Sequence, residues 1–277
     1  MRTLLVTGAA GGVGGALAAR LARRGDRVFA CARSTTQLKD LASERIIPLE
    51  MDVSDSASVE RAFAELDRQL GGQSLDAIVH CAAIAPLGTV EFTPPEEYGR
   101  IFNVNTLGAL RVTQAGLARM RRGGEKRLIL VSSLWGRLSG PLVSSYAASK
   151  HALEAAVDSL RRETAGTGIR ISVVEPGVIK TKMFTNQTAE VLQKIDALHS
   201  DERRLYLKLY RNYLKLFEKS EKTAITAEQC VDRIIKVLDA RRPRPRYLVG
   251  LDARLLVPLS EWISDKALDR LFGSLTK

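Results

Sequence analysis

Short apolar, β-rich runs alternate with helical patterns along most of the 277 residues, and this alternation limits the possible folds more than any other feature. Residues 2–7 (RTLLVT), 27–32 (RVFACA), 46–51, 76–81 (DAIVHC), 126–132 (KRLILVS) and 170–175 (RISVVE) read as six strands. Between them, 13–24 places Val13, Leu17 and Leu21 on one helical face, and 55–70, 95–120 and 145–165 also read as helical. Strands that are apolar throughout, each followed by a helix, pair in parallel and are covered on both faces. The expected class is therefore α/β with a doubly wound parallel sheet. No repeat and no long linker interrupts the chain, and α/β folds reach ~250 residues as one unit. Residues 1–277 are expected to form a single domain.

The regularity breaks after Gly177. Residues 178–225 are polar and aromatic, a helix is expected near 227–239, and the run 241–246 (RRPRPR) extends the chain into a last strand at 246–249. A hydrophobic share of 45% is too high for a disordered chain. No apolar run approaches the ~18 residues of a membrane-spanning helix, and residues 1–6 do not read as a secretory leader. Cys31, Cys81 and Cys230 stand far apart, which speaks against a disulfide scaffold or a zinc module and suits a reducing cytoplasm. No metal site is expected. The net charge is +11, and residues 201–277 carry 17 basic against 11 acidic side chains, so the tail is the basic part. Such a tail could meet nucleic acid or an anionic lipid surface. No nucleic-acid recognition motif accompanies it.

Between the first strand and the first helix lies Thr7-Gly8-Ala9-Ala10-Gly11-Gly12-Val13-Gly14. Glycines there let the backbone approach a phosphate, and the helix start offers free N–H groups. Tyr146 and Lys150 are four apart, so they share one face of the helix predicted over 145–165. A nearby ammonium favours a phenolate, so Lys150 is expected to lower the Tyr146 pKa from its usual ~10. Ser133 stands at the carboxyl end of a strand, where it can polarise a carbonyl. Arg33 follows the second strand directly, and Ala32 occupies the place of a ribose-binding acid. An arginine there can accept a 2′-phosphate, which favours NADP(H) over NAD(H).

The TGxxxGxG spacing, the Tyr146–Lys150 YxxxK motif and Ser133 thirteen residues before Tyr146 resemble the short-chain dehydrogenase/reductase family in its shorter, Rossmann-fold form. Asn105 in Asn103-Val104-Asn105, Asp52-Val53 after the third strand, and Pro176-Gly177 with Thr181 extend the resemblance over residues 2–182. It implies a catalytic group of Ser133, Tyr146, Lys150 and Asn105, with Lys150 also holding the nicotinamide ribose. Cofactor contacts are implied at Gly8, Gly12, Val13, Gly14, Arg33, Asp52, Val53, Ala82, Lys150, Ile179 and Thr181. One departure is His80-Cys81-Ala82-Ala83, which stands where the family usually has NNAG; His80, like His151 and His199, is given no catalytic role.

The resemblance also implies a substrate lid within 183–226, a C-terminal extension over 251–277, and a homodimer or homotetramer built on the family's fourth and fifth helices. Tyr206, Tyr210, Tyr213, Leu214 and Phe217 form an apolar stripe, with Lys208, Arg211, Lys215 and Lys219 on the other side. The stripe either packs on the domain or walls a pocket for a lipophilic steroid, retinoid or long-chain substrate. Residues 247–263 resemble the tails of retinol and hydroxysteroid dehydrogenases. The expected activity is NADP(H)-dependent interconversion of a carbonyl and an alcohol. Two other functions compete with it: a 3-oxoacyl-carrier-protein reductase using Arg119, Arg121, Arg122 and Arg127, and a basic nucleic-acid- or lipid-binding module. Peripheral membrane contact by the tail is compatible with the leading reading.

Overall fold

The computed structural model describes residues 1–121 and 123–273. Seven strands make one parallel sheet: β1 (Thr3–Thr7), β2 (Arg27–Ala32), β3 (Ile46–Glu50), β4 (Ala77–His80), β5 (Lys126–Val131), β6 (Ile169–Pro176) and, after a short two-stranded piece, β9 (Arg246–Val249). That piece pairs β7 (Ile179–Lys180) with β8 (Ile225–Thr226). The order across the large sheet is β3-β2-β1-β4-β5-β6-β9, so the strand order reverses direction between β1 and β4. Ligands of open α/β sheets bind at the carboxyl edge beside such a reversal.

The helices are α1 (Gly12–Arg23), α2 (Ser56–Leu70), α3 (Pro95–Phe102), α4 (Gly108–Met120), α5 (Ser144–Glu163), α6 (Lys182–Ala197), α7 (Ser200–Glu221), α8 (Ala227–Asp239), α9 (Leu251–Trp262) and α10 (Asp265–Gly273). Successive strand side chains point to opposite faces, and both faces are apolar. Leu5 of β1 packs with Phe63 and Leu66 of α2, Val112 of α4 and Leu153 of α5, while Leu4 and Val6 pack with Leu17 and Leu21 of α1 and Ile234 of α8. All of these are fully buried.

The structure differs from the sequence reading in three places. The helical stretch 95–120 is two helices, α3 and α4, joined by a π-turn over Asn103–Leu107. The region after Gly177 is more ordered than its composition suggests: it holds α6, α7 and the β7–β8 pair. The C-terminal tail forms α9 and α10, with Ala253 and Val257 packed on Leu134, Leu138 and Leu248. Among the described residues no helix is long and apolar enough to cross a membrane, and no group of His, Cys, Asp and Glu side chains could hold a metal.

Candidate active site

β1 ends in a turn that only glycine can make. Gly8 has φ +67°, and a Cβ there would lie 2.9 Å from the backbone nitrogen of Ala82. The turn after β1 and the turn after β4 are thus in direct contact. The Thr7 hydroxyl ties them further, accepting from the amides of Cys81 (3.1 Å) and Ala82 (3.3 Å) and pairing with His80 Nδ1 (3.0 Å). The His80-Cys81-Ala82-Ala83 stretch therefore has its own anchor. Burial, with the Lys150 charge nearby, pushes His80 down to about 3, so it stays neutral and is no acid.

α1 begins without a side-chain cap, since its N-cap is Gly11. The amides of Gly12, Val13 and Gly14 are left for a ligand, and the helix dipole favours an anion there. A Cβ on Gly14 would meet the Gly8 carbonyl, and one on Gly12 would meet the Thr181 side chain. Thr181 therefore closes one side of the turn, with Ile179 two residues before it in β7. A cavity of about 310 Å³ opens beside the turn, lined also by Gln37, Asp40 and Lys182. Lys182 escaped the sequence reading, although its place directly after Thr181 was a usable signal.

Arg33 emerges exposed at the end of β2, with no ion pair among the described residues. Asp52 follows β3; the Ser54 hydroxyl donates to Asp52 Oδ1 at 2.6 Å and the Ser54 amide at 2.9 Å. That hydroxyl bond, backed by the Ser54 amide and the Arg33 charge, holds Asp52 below the usual carboxylate range. Val53 is buried against Gly108. Unsatisfied amides at a helix start, an unpaired guanidinium and an ionised aspartate at one sheet edge fit a phosphate-bearing nucleotide.

Ser133 sits two residues beyond β5, and Tyr146 and Lys150 lie on the first two turns of α5. The Ser133 and Tyr146 side chains are polar neighbours, and Ser133 Oγ accepts from the Trp135 amide at 3.2 Å. The Tyr146 side chain is half-buried. Burial pushes Tyr146 up to about 12, with the Ser133 hydroxyl opposing. The sequence expectation was the opposite shift. Lys150 Nζ donates to the Val131 carbonyl at 2.9 Å and lies 5.8 Å from the Tyr146 ring centroid. Burial also brings Lys150 down to about 8, with Glu154 opposing.

Asn105 lies in the π-turn, fully buried. Its Oδ1 accepts from the Ile84 amide (2.9 Å), and its Nδ2 donates to the Ile84 carbonyl (2.8 Å) and to Ser149 Oγ (2.9 Å). Thr106 adds a bond to the Ser149 carbonyl at 2.8 Å. Asn105 thus clamps the loop after β4 to the residue beside Lys150. A π-turn inserts an extra residue into a helix and re-aims the turns beyond it, a device frequent at functional sites. The loop between Ser133 and Tyr146 is held in a strained shape: Leu142 has φ +68°, and its carbonyl accepts from the Gly88 amide at 2.8 Å. Neither Leu142 nor Ser149 stood out in the sequence.

Of the residues expected from sequence, Ser133, Tyr146, Lys150 and Asn105 come together at the carboxyl edge beside β5 and α5. Gly8, Gly12, Val13, Gly14, Ala82 and Thr181 come together at the glycine turn. Arg33, Asp52 and Val53 line the same edge further out, beyond β2 and β3. The family model described as short chain dehydrogenase matches residues 2–192. The chain belongs to the short-chain dehydrogenase family. This dehydrogenase is 32% identical to the human protein named retinol dehydrogenase 5 over 91% of its own length and 82% of the relative's. It is 26% identical to an NADPH-dependent 3-dehydrocapnine reductase of Ornithobacterium rhinotracheale, covering 98% of this chain and 96% of that one. A short-chain dehydrogenase from Streptomyces avermitilis superposes with a TM-score of 0.76 at 26% identity, covering 100% of this chain and 96% of that one.

Proposed function

We propose that this dehydrogenase uses NADP(H) to interconvert a carbonyl and an alcohol on a lipophilic substrate, with Tyr146 as the proton-transfer group. The single observation that carries the reading is the convergence of Ser133, Tyr146 and Lys150 on the sheet edge that also bears the uncapped glycine turn. A nicotinamide bound there supplies hydride transfer. Ser133 holds and polarises the carbonyl oxygen. Tyr146, at about 12, is protonated at neutral pH and so stands ready as the acid of carbonyl reduction. Alcohol oxidation requires the phenolate and is expected to accelerate steadily as pH rises toward that value. Lys150 holds the ribose, and Asn105 positions Lys150 through Ser149. The amides of α1 and the side chains of Arg33 and Asp52 hold the nucleotide end.

The cofactor part rests on Arg33 and on the absence of a carboxylate at Ala32. Charge-assisted pairs contribute about 1.5–3 kcal/mol. Arg33→Ala is therefore expected to raise KM for NADPH by roughly 10- to 100-fold while leaving KM for NADH nearly unchanged. A wild type that prefers NADH, or a variant with the same preference, would refute the assignment.

The lipophilic part rests on α6 and α7 as a lid. Tyr210 and Tyr213 are buried with Leu87, Leu142, Val143 and Ala147, so they pack on the loop leading to Tyr146. Phe217 is half-buried and stacks on Phe184 with centroids 4.0 Å apart. The stripe therefore divides its work: Tyr210 and Tyr213 fasten the lid, and the Phe184–Phe217 edge is offered to substrate. In an aldehyde series kcat/KM should climb by about 0.8 kcal/mol per methylene until the pocket fills. Phe217→Ala should flatten the climb, whereas Tyr210→Ala should lower the melting temperature and keep it. A flat wild-type series removes the lipophilic substrate and leaves the oxidoreductase reading intact.

The acyl-carrier-protein reductase alternative is less well supported. Arg119 is paired with Asp67 and Arg127 with Glu125, at the amino end of β5, opposite the Ser133 edge. Arg121 is exposed, and Arg122 lies outside the described residues. A cytoplasmic homodimer or homotetramer completes the proposal, with the unpaired cysteines fitting a reducing compartment. Peripheral membrane contact through the exposed Leu251, Leu255, Leu259 and Trp262 of α9 is compatible with it.

A further inference from the structure

The run Arg241–Arg246 plays no part in the chemistry above, yet the fold ties its second half to β6. Pro243 and Pro245 fix their φ angles, and the segment bends at Pro245 as it enters β9. Arg244 and Arg246 line one cavity of about 460 Å³, together with Arg137, Arg233 and Arg254. Its backbone frame is fixed: Ser172 Oγ donates to the Arg244 carbonyl at 2.8 Å, and the Val173 amide donates to the Pro245 carbonyl at 2.7 Å. The Arg244 amide donates to the Tyr247 hydroxyl at 2.7 Å, and the Arg233 guanidinium lies 5.9 Å from the Tyr247 ring centroid.

Five guanidiniums face only two lining carboxylates, Glu175 and Glu261. Arg137 is paired with both of these. Arg246 is paired with Glu154 (3.1 Å), Asp158 (3.0 Å) and Glu175 (3.2 Å). Arg233, Arg244 and Arg254 have no carboxylate partner among the described residues. A concave site with three uncompensated charges concentrates positive potential, and guanidinium forks match the oxygens of a phosphate in pairs. A monocarboxylate would offset one of the three charges; a phosphate monoester dianion offsets two. Tyr247, Leu248, Val257 and Pro258 supply an apolar wall for an organic body attached to that phosphate.

We infer that this cavity is a second binding site, for a phosphate-bearing anion. Its lining shares no residue with the cavity at the glycine turn. The inference does not depend on the activity proposed above. The phosphate could belong to a soluble ester or to a lipid headgroup, because α9, which forms one wall, also carries the exposed Leu251, Leu255, Leu259 and Trp262.

The test is titration calorimetry of the full chain with glycerol 3-phosphate, at constant ionic strength set by sodium chloride. Arg33→Ala serves as the parent, so that the exposed guanidinium at the end of β2 does not contribute, and the glycine turn is common to both proteins compared. Arg244→Ala/Arg254→Ala is built on that parent; both side chains are exposed, and an unchanged melting temperature in chloride alone shows that the variant is folded. Saturable binding that the added pair of substitutions weakens at least tenfold is the expected result. Flotation with phosphatidic acid vesicles against phosphatidylcholine vesicles then identifies the source. Binding to the former that needs Arg244 and Arg254 assigns a lipid headgroup, and no vesicle binding assigns a soluble ester. Phosphate binding that survives the two substitutions, or no binding beyond the chloride control, overturns the inference.

Discussion

Tyr146→Phe should fold as wild type does, bind the nucleotide with unchanged affinity, and turn over about 10²- to 10⁴-fold more slowly. The size of the loss is that of one positioned acid or base. The substitution removes only a hydroxyl, and the neighbouring Ser133 keeps its bond from the Trp135 amide. Losing one neutral hydrogen bond costs about 0.5–1.5 kcal/mol, which a chain of this size registers as a few degrees of melting temperature. The decisive readouts are single-turnover reduction under saturating cofactor and substrate, and a separate fluorescence titration of the nucleotide. Near-full turnover in the variant would remove Tyr146 from the chemistry. Lost nucleotide binding would instead mark it as a binding residue. The pH profile adds an independent check: since burial holds the hydroxyl protonated to about 12, the wild-type reduction rate should show no loss attributable to Tyr146 across neutral pH.

The parts of this site that were legible in the sequence are those set by local spacing. Glycines between a strand and a helix, an i,i+4 Tyr–Lys pair and a serine at a strand end each need only one or two elements to be placed correctly. The parallel sheet was legible for the same reason, since strands apolar on both faces admit few alternatives. The features that the sequence concealed depend on the surroundings. The raised Tyr146 pKa results from burial of the side chain, which cannot be read from a four-residue interval. The π-turn at Asn105 and the left-handed Leu142 are backbone choices imposed by tertiary contacts on residues with no such preference. The aromatic stripe of α7 was visible as a period, but which of its rings are buried required the partner surface. The arginine cavity gathers residues from 137 to 261, a span that no local spacing announces.

Lys150 shows how the site's demands run against the stability of the fold. Its side chain is 1% exposed, and burial lowers its pKa from 10.5 to about 8. Below pH 8 the folded and unfolded chains both carry the proton, so the full cost of burying the ammonium is present; a shift of this size corresponds to about 3 kcal/mol. Between pH 8 and 10.5 the unfolded chain holds a proton that the folded chain has released, so this group's contribution makes stability rise with pH. Lys150→Met replaces the ammonium with an apolar chain of similar length. It leaves the Val131 carbonyl without its donor, a loss of about 1–3 kcal/mol, while Glu154 keeps its bond to Arg246. The net expectation at pH 7 is a melting temperature equal to or a few degrees above wild type. The gap should narrow between pH 8 and 10 as the wild type sheds its cost. Turnover should fall at least as far as in Tyr146→Phe, and the double variant should be no slower than the worse single one, because groups that act as a unit are not additive. Thermal unfolding at pH 7 and at pH 9.5, set beside single-turnover rates, separates the two effects. A strong drop in melting temperature at pH 7 would mean that the buried ammonium is a net structural asset through Glu154 and Val131, and the opposition between stability and catalysis at this residue would fall.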